Sequence, residues 1–434
     1  MAGQRLHYAA PSVDAQRPTA PARALHLALL ALILAGCGLV GAGGGGTSAP
    51  PPPTSPYSRF ATAEQAAYAA AVRHVGVTLP TRPGAPAPGL PPGAFGPGVG
   101  SHLVLGFLPS WELASTSTVD YRALSEIGYY ALQVEAKGTL LHSGQGWESL
   151  VNGSVAPLVA DAHANGVRAL LTLYSGTQST LASLAADPAS GRALADRVAP
   201  LLASHSFDGV DLDLEGRLAS ARQGFTAFVA AFSSRLRQID PSWTIVLNTF
   251  PQAAVDPESF FDVKALAPLV DQLFVMAYDM GDPAVPGPTA PLVGAELSDA
   301  SSLASYLSEV PARKIILGVP FYGYDFTSSS STLPAVTVGS PYAVTYDAVA
   351  ATHRLAHWDP VTDTAYLSFR RGTHWHLTFF DDPLSIALKV ALASAFHVAG
   401  VGAWELGMVS QEQQMASTLD GGSRPLRLPL ASQP

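Results

Sequence analysis

Eight short apolar runs recur along residues 102–426, each followed by a stretch with helical spacing. They are LVLGF at 103–107, YYALQV at 129–134, VRALLTLY at 167–174 and FDGVDLDLE at 207–215, then TIVLNTF at 244–250, QLFVMAYD at 272–279, KIILGVPF at 314–321 and GVGAWEL at 400–406. Between them apolar residues return every three to four positions, as Phe225, Phe228, Val229, Phe232 and Leu236 do, which is the spacing of a helix with one buried face. Eight such repeats without a GxGxxG turn predict an α/β fold closed into a (β/α)8 TIM barrel, with a doubly wound sheet as the alternative. The gap between the seventh and eighth runs is the longest, so a small α+β insertion is expected at about 324–390, with strands near Ala365–Phe369 and Trp375–Phe380.

Composition narrows the class. Hydrophobic residues make up 48% of the 434 and charged residues 13%, which excludes a mainly disordered chain. Lys and Arg number 24 against 33 Asp and Glu, a formal net charge of −9, so no electrostatic footprint for nucleic acid is evident. One cysteine excludes an intrachain disulfide framework and a multi-cysteine zinc site. Residues 41–100 hold 12 Gly and 12 Pro, so 38–100 reads as a linker. Within it Ala61–His74 is composed of good helix formers, either a satellite element or a stiff part of the tether. Residues 427–434 read as a tail, leaving 101–426 as the barrel.

The apolar run 24–35, ALHLALLALILA, follows Arg17 and Arg23. It is too short to cross a bilayer core, which needs about 20 residues, and fits the apolar region of an export signal. Leu34-Ala35-Gly36-Cys37 resembles a bacterial lipobox, although the long polar stretch before Arg23 departs from such signals. The resemblance implies that 1–37 is a lipoprotein signal peptide and that Cys37 is lipidated. The barrel would then be exported and anchored on the outer side of the cytoplasmic membrane. The alternatives are ordinary secretion, or a small cysteine buried in an Ala/Leu helix.

The fourth run carries the candidate chemistry. Period-two alternation turns Val210, Leu212 and Leu214 toward the helices and Asp211, Asp213 and Glu215 into the barrel, with Glu215 at the C-terminal end. Barrel interiors are normally filled by apolar side chains, and an unpaired buried charge is costly. Three inward acids therefore suggest a proton-handling relay at the face where barrel active sites sit. A row satisfied by Arg or backbone donors is one alternative. A Mg²⁺ or Ca²⁺ site is another, although alternate positions on one strand make a column rather than a cage.

FDGVDLDLEG resembles the DGxDxDxE signature of glycoside hydrolase family 18, the chitinase-like barrels, with Asp208, Gly209, Asp211, Asp213 and Glu215 in register. Met276-Ala277-Tyr278-Asp279 resembles the family's MxYD. Trp404 lies where the family has a sugar-stacking tryptophan, and LGFLPSWE, which includes Phe107, resembles its first strand. The third strand departs from the family's Ser-x-Gly-Gly, ending Tyr174-Ser175-Gly176-Thr177, and Leu214 replaces an aromatic residue often found before the acid.

The resemblance implies a retaining, substrate-assisted hydrolase of β-1,4-linked N-acetylglucosamine glycans: chitin, chitooligosaccharides or peptidoglycan. Glu215 would be the acid, Asp213 would orient the substrate's acetamido group, and Asp211 would share a proton with Asp213. Tyr278 would donate to the acetamido carbonyl, or else be a core tyrosine. Asp279, Met276, Phe107 and Tyr174 would contribute to sugar binding, as would Trp404 unless it is barrel filler. No cofactor and no metal are implied. The proximity of Asp213 and Glu215 is expected to raise their coupled pKa values.

Trp111, Trp358 and Trp375 are either groove aromatics or subdomain core. The run HWH at 374–376 reads as an exposed strand face, and Asp381 and Asp382 as helix-capping residues. The segment 379–407 resembles spore-germination and cortex-lytic members of the family, which tilts the substrate toward peptidoglycan-type glycans. A chitinase-like lectin that binds without turnover is the alternative function, and a transglycosylase a third.

Overall fold

Leu-, Val- and Ile-rich runs bounded by loops close into a parallel barrel, because strands buried on both faces need no polar side. The structure is a computed structural model that describes residues 55–91, 102–409, 415 and 418–420. The expected export signal with Cys37, the segments 38–54 and 92–100, and the expected tail 427–434 lie outside the described residues.

A two-residue strand β1 (Ala85–Pro86) precedes the barrel strands β2 (Leu103–Pro109), β3 (Glu126–Gln133), β4 (Arg168–Ser175), β5 (Gly209–Leu214), β6 (Thr244–Thr249), β7 (Gln272–Val275) and β8 (Ile315–Pro320). Strands β9 (Tyr322–Ser328), β10 (Tyr342–Thr345), β11 (His357–Asp359), β12 (Thr364–Arg371) and β13 (His374–Phe380) come next, and β14 (Gly400–Trp404) closes the barrel. The closed order is β14-β2-β3-β4-β5-β6-β7-β8, so every expected run becomes a barrel strand, as the TIM-barrel expectation requires.

The alternation read from the sequence is the one observed. Leu105, Phe107, Leu170, Val246, Phe274, Met276 and Ile316 fill the barrel interior. Val210, Leu212 and Leu214 belong instead to the layer between strands and helices. Phe225, Phe228, Val229, Phe232 and Leu236 are fully buried along the helix Arg222–Ile239. Gly402 leaves room for Phe274, since a Cβ there would stand 2.7 Å from its ring.

The insertion supplies five strands of an antiparallel sheet, β1-β11-β12-β13-β9-β10, whose edge strand β1 comes from before the barrel. It runs from Tyr322 to Phe380 rather than over 324–390, because residues 383–395 form a barrel helix. That helix starts in a capping box: Asp382 accepts from the Ser385 backbone N–H at 2.8 Å. Asp381 does not cap. Its carboxylate accepts from Lys389 Nζ at 2.8 Å in a buried cluster where Lys389 also meets Asp299 at 3.1 Å and donates to Ala290 O at 2.7 Å. The HWH run is exposed only in part: His376 is buried and bonds Asp325 Oδ1 at 2.6 Å, since strand alternation turns it opposite to Trp375.

The linker reading fails for residues 55–91. Ala61–Val75 is a helix that buries Ala67, Ala71 and Val75 against the helices Pro383–Ala395 and Asp299–Leu307. Pro86 and Ala85 then pair with His357 and Trp358 on β11. Proline-rich composition signalled a tether, but small alanines on one helix face allow close packing and Pro86 falls on a sheet edge, where a missing N–H costs nothing.

Candidate active site

The inward acids of β5 stand at the centre of the barrel's C-terminal half. Asp211 is fully buried and Asp213 4% exposed. Asn248, on the neighbouring β6, donates from Nδ2 to Asp211 Oδ2 at 3.3 Å. Burial pushes the Asp211 carboxyl up to about 8. Asp213 is raised well above the usual range by burial, then by the charges of Glu215 and Asp211, with Asn248 and Tyr130 partly offsetting this. Asp211 Oδ1, Asp213 Oδ1 and Asn248 Oδ1 are buried acceptors with no partner. Burial without donors explains both the raised pKa values and the unpaired oxygens, since it favours the protonated form of each carboxyl.

Glu215 follows the last residue of β5, at the mouth. Burial raises its pKa, Arg217 pulls it down and Asp279 pushes it up. The loop that carries it is clamped. Its backbone N–H donates to Ser175 O at 3.0 Å, and Gln178 Nε2 donates to Glu215 O at 2.9 Å. Gln178 Oε1 accepts from the Arg217 backbone N–H at 2.7 Å. Gly216 is required next to the acid, because a Cβ there would fall 2.3 Å from the Phe260 ring.

Tyr278 follows β7. Burial, Asp213 and Asp279 hold its hydroxyl pKa well above the usual value, so it is a hydrogen-bond donor at neutral pH. Asp279 adopts a left-handed backbone, φ 55°. Its Oδ1 accepts from Thr289 Oγ1 at 3.0 Å, Tyr322 OH at 2.8 Å and Tyr324 OH at 3.1 Å. Thr289 is adjacent to Ala290, so the buried Lys389 cluster and the first strand of the insertion both anchor this loop.

Aromatic rings form the floor and one wall. Phe107, 1% exposed, packs edge-on to Phe274 at 5.2 Å and lies 5.9 Å from Trp404. Met276 is 7% exposed in the same interior cluster. Phe107 and Met276, expected to bind sugar, lie in the buried interior cluster against which Trp404 packs. Trp404 and Tyr174 are partly exposed. Tyr130 meets Trp404 edge-on at 4.6 Å and lies 5.4 Å from Tyr174, and Trp111 extends the row with its ring 6.0 Å from Tyr130. Trp358 is subdomain core, fully buried with its Nε1 donating to Asp363 at 3.1 Å.

The structure thus brings Asp211, Asp213, Glu215, Tyr278, Asp279, Tyr174 and Trp404 to one mouth. Sequence reasoning missed Tyr130, Gln178, Arg217, Asn248, Tyr322 and Tyr324. Asn248 had a signal, a lone amide in an otherwise apolar run, and Tyr130 sat in a Tyr-Tyr doublet. Gln178 and the β9 tyrosines had none, since their partners are remote in sequence. Among the described residues no cluster of three His, Cys, Asp or Glu could hold a metal ion.

A buried acid pair at the end of a barrel strand, a donor tyrosine and an aromatic wall can protonate a leaving oxygen, orient an amide and stack a sugar ring. Known proteins share this fold. A putative sporulation-specific glycosylase, YdhD, of Bacillus subtilis is 26% identical over 59% of this chain, and the match spans 63% of that protein's own length. A chitinase of Cycas revoluta, solved in complex with (GlcNAc)3, superposes with a TM-score of 0.66 at 19% identity, covering 73% of this chain and 98% of that one. A chitinase-like agglutinin from Robinia pseudoacacia superposes with a TM-score of 0.65 at 21% identity, covering 73% of this chain and 98% of its own. The sequence pattern of glycosyl hydrolases family 18 matches residues 101–408, from the first barrel strand to just past the last. With its signature acids seated at the mouth of the barrel, the chain belongs to glycosyl hydrolases family 18.

Proposed function

We propose that the chain is a retaining, substrate-assisted hydrolase of β-1,4-linked N-acetylglucosamine glycans. The observation that carries this reading is Glu215 at the end of β5, its pKa raised by burial, with the proton-holding Asp213 behind it. Glu215 donates its proton to the glycosidic oxygen as that bond breaks. The acetamido carbonyl oxygen of the sugar attacks the anomeric carbon and forms a cyclic oxazolinium ion, with Asp213 accepting from the acetamido N–H and Tyr278 donating to its oxygen. Water then adds to the face of the anomeric carbon that the leaving group vacated, displacing the acetamido oxygen, and gives its proton to the Glu215 carboxylate, so configuration is retained. Asp211 shares a proton with Asp213, which leaves Asp213 an oxygen to accept from the acetamido N–H. Trp404 stacks on the apolar face of the sugar whose bond is cut.

Mass spectrometry of the products from chitooligosaccharides and purified peptidoglycan, run in parallel with a Glu215→Gln control, tests this. Cleavage by the wild type and not by the variant supports it. Tight glycan binding with no turnover would favour the lectin alternative.

We also propose that the barrel is exported and held at the outer side of the cytoplasmic membrane through lipidated Cys37. This rests on the apolar run 24–35 and on Leu34-Ala35-Gly36-Cys37. Two acyl chains at about 0.8 kcal/mol per buried CH₂ give stable anchoring where one is marginal.

A further inference from the structure

Arg217 is a cation that acts on Glu215. It lies two residues past the acid, and its charge is the force that pulls Glu215 down. Its guanidinium lies over the Phe250 ring, with Cζ 4.6 Å from the centroid. Its backbone N–H is pinned by Gln178 Oε1 at 2.7 Å. The side chain is exposed, and among the described residues it has no carboxylate partner, unlike Arg122, Arg168, Arg222, Arg235, Arg237 and Arg371. Phe250 ends the run of β6 and is fixed in turn, because Tyr306 OH donates to its carbonyl at 2.6 Å and Phe261 packs edge-on at 5.5 Å. The cation is therefore held against one aromatic ring while the residue stays exposed, two positions past the acid.

A ring-stacked guanidinium presents the planar fork that matches a carboxylate. Neutral glycans offer nothing of that charge, and the Asp279 side chain at the same mouth would repel an anionic substrate if no cation faced it. Glu215 must reach the glycosidic oxygen, so a group this close to it in the chain borders the sugars on either side of the scissile bond.

We propose that Arg217 is a specificity-determining residue that binds a carboxylate carried by a sugar next to the scissile bond. The substrate class is then an acidic N-acetylated glycan, such as one whose N-acetylhexosamines bear lactyl ether carboxylates, rather than neutral chitin. This rests on the hydrolase reading of the same mouth, with Glu215 at the glycosidic oxygen.

The test compares two glycans that differ only in charge: peptidoglycan strands freed of their peptides, and the same strands with the lactyl carboxylates reduced to alcohols. The full-length protein is expected to favour the carboxylate form by about tenfold in kcat/KM, with the preference fading as salt rises. Arg217→Gln is expected to bring the ratio of the two close to one, and Arg217→Lys to restore part of it. Because the ratio is taken within one variant, any change in the acidity of Glu215 cancels. Calorimetric binding of both glycans to Glu215→Gln, with and without Arg217→Gln, reads the same ratio without turnover. If neither glycan is cut, the hydrolase reading fails while the binding ratio still decides the role of Arg217. No preference in the wild type, or a preference that survives Arg217→Gln, overturns the proposal.

Discussion

The Tyr322 hydroxyl donates to Asp279 Oδ1 at 2.8 Å, joining the first strand of the insertion to the loop after β7. Thr289 and Tyr324 donate to the same oxygen, and together they hold a non-glycine residue in a left-handed conformation. The insertion is thus part of the site's framework. Tyr322→Phe removes one donor, worth about 1 kcal/mol. We expect kcat/KM on N-acetylglucosamine oligomers to fall about fivefold, mostly through KM, while the thermal midpoint moves little. A pure loss of kcat would show that Asp279 is not a binding group.

Glu215→Gln keeps size and burial but has no proton to give. Hydrolysis should fall by at least ~10²-fold, the lower range for general acid catalysis, with glycan affinity retained by calorimetry. Near-normal turnover would remove Glu215 from the role of acid.

Asp213→Asn and Tyr278→Phe should each impair turnover through the acetamido group. The wild type is then expected to cut fully N-acetylated oligomers and to leave fully deacetylated ones almost untouched. Equal cleavage of both would refute substrate assistance.

Asp211 links the site to stability. Its carboxyl ordinarily titrates at 3.8 and is raised to about 8 in the fold. Between those values the folded chain keeps a proton that the unfolded chain has lost, so this stabilisation is full below 3.8 and is lost as pH rises toward about 8. Asp211→Asn removes the titration. The midpoint of the variant minus that of the wild type should rise steadily from pH 4 to pH 8 in differential scanning calorimetry. A difference independent of pH would mean that Asp211 titrates normally.

Ala71 is fully buried on the helix Ala61–Val75, and Ala66 is exposed on the same helix. Ala71→Asp buries an unpaired carboxylate and should lower the thermal midpoint far more than Ala66→Asp. Equal effects would mean that the helix does not pack on the barrel in solution.

Cys37→Ala should release the protein from the membrane fraction while the purified barrel keeps its activity. Finding the wild type wholly in the medium with an unmodified terminus beyond Cys37 would show ordinary secretion.

All eight barrel strands and the inward row Asp211-Asp213-Glu215 were legible in the sequence, because period-two alternation is local and each strand carries its own record of which face is buried. The signature acids and Tyr278-Asp279 were legible for the same reason, as residues packed into short contiguous runs. Composition misled at 55–91, where burial of Ala67, Ala71 and Val75 depends on the helix Pro383–Ala395. Only the tertiary structure decided that Phe107 and Met276 lie in the interior cluster against which Trp404 packs, that Tyr130 braces Trp404, that Tyr322 and Tyr324 hold Asp279, and that Arg217 rests on Phe250. Those relationships join residues from different strands and loops. No local pattern encodes them, because the distance between two side chains is set by barrel closure and by the sheet inserted after β8.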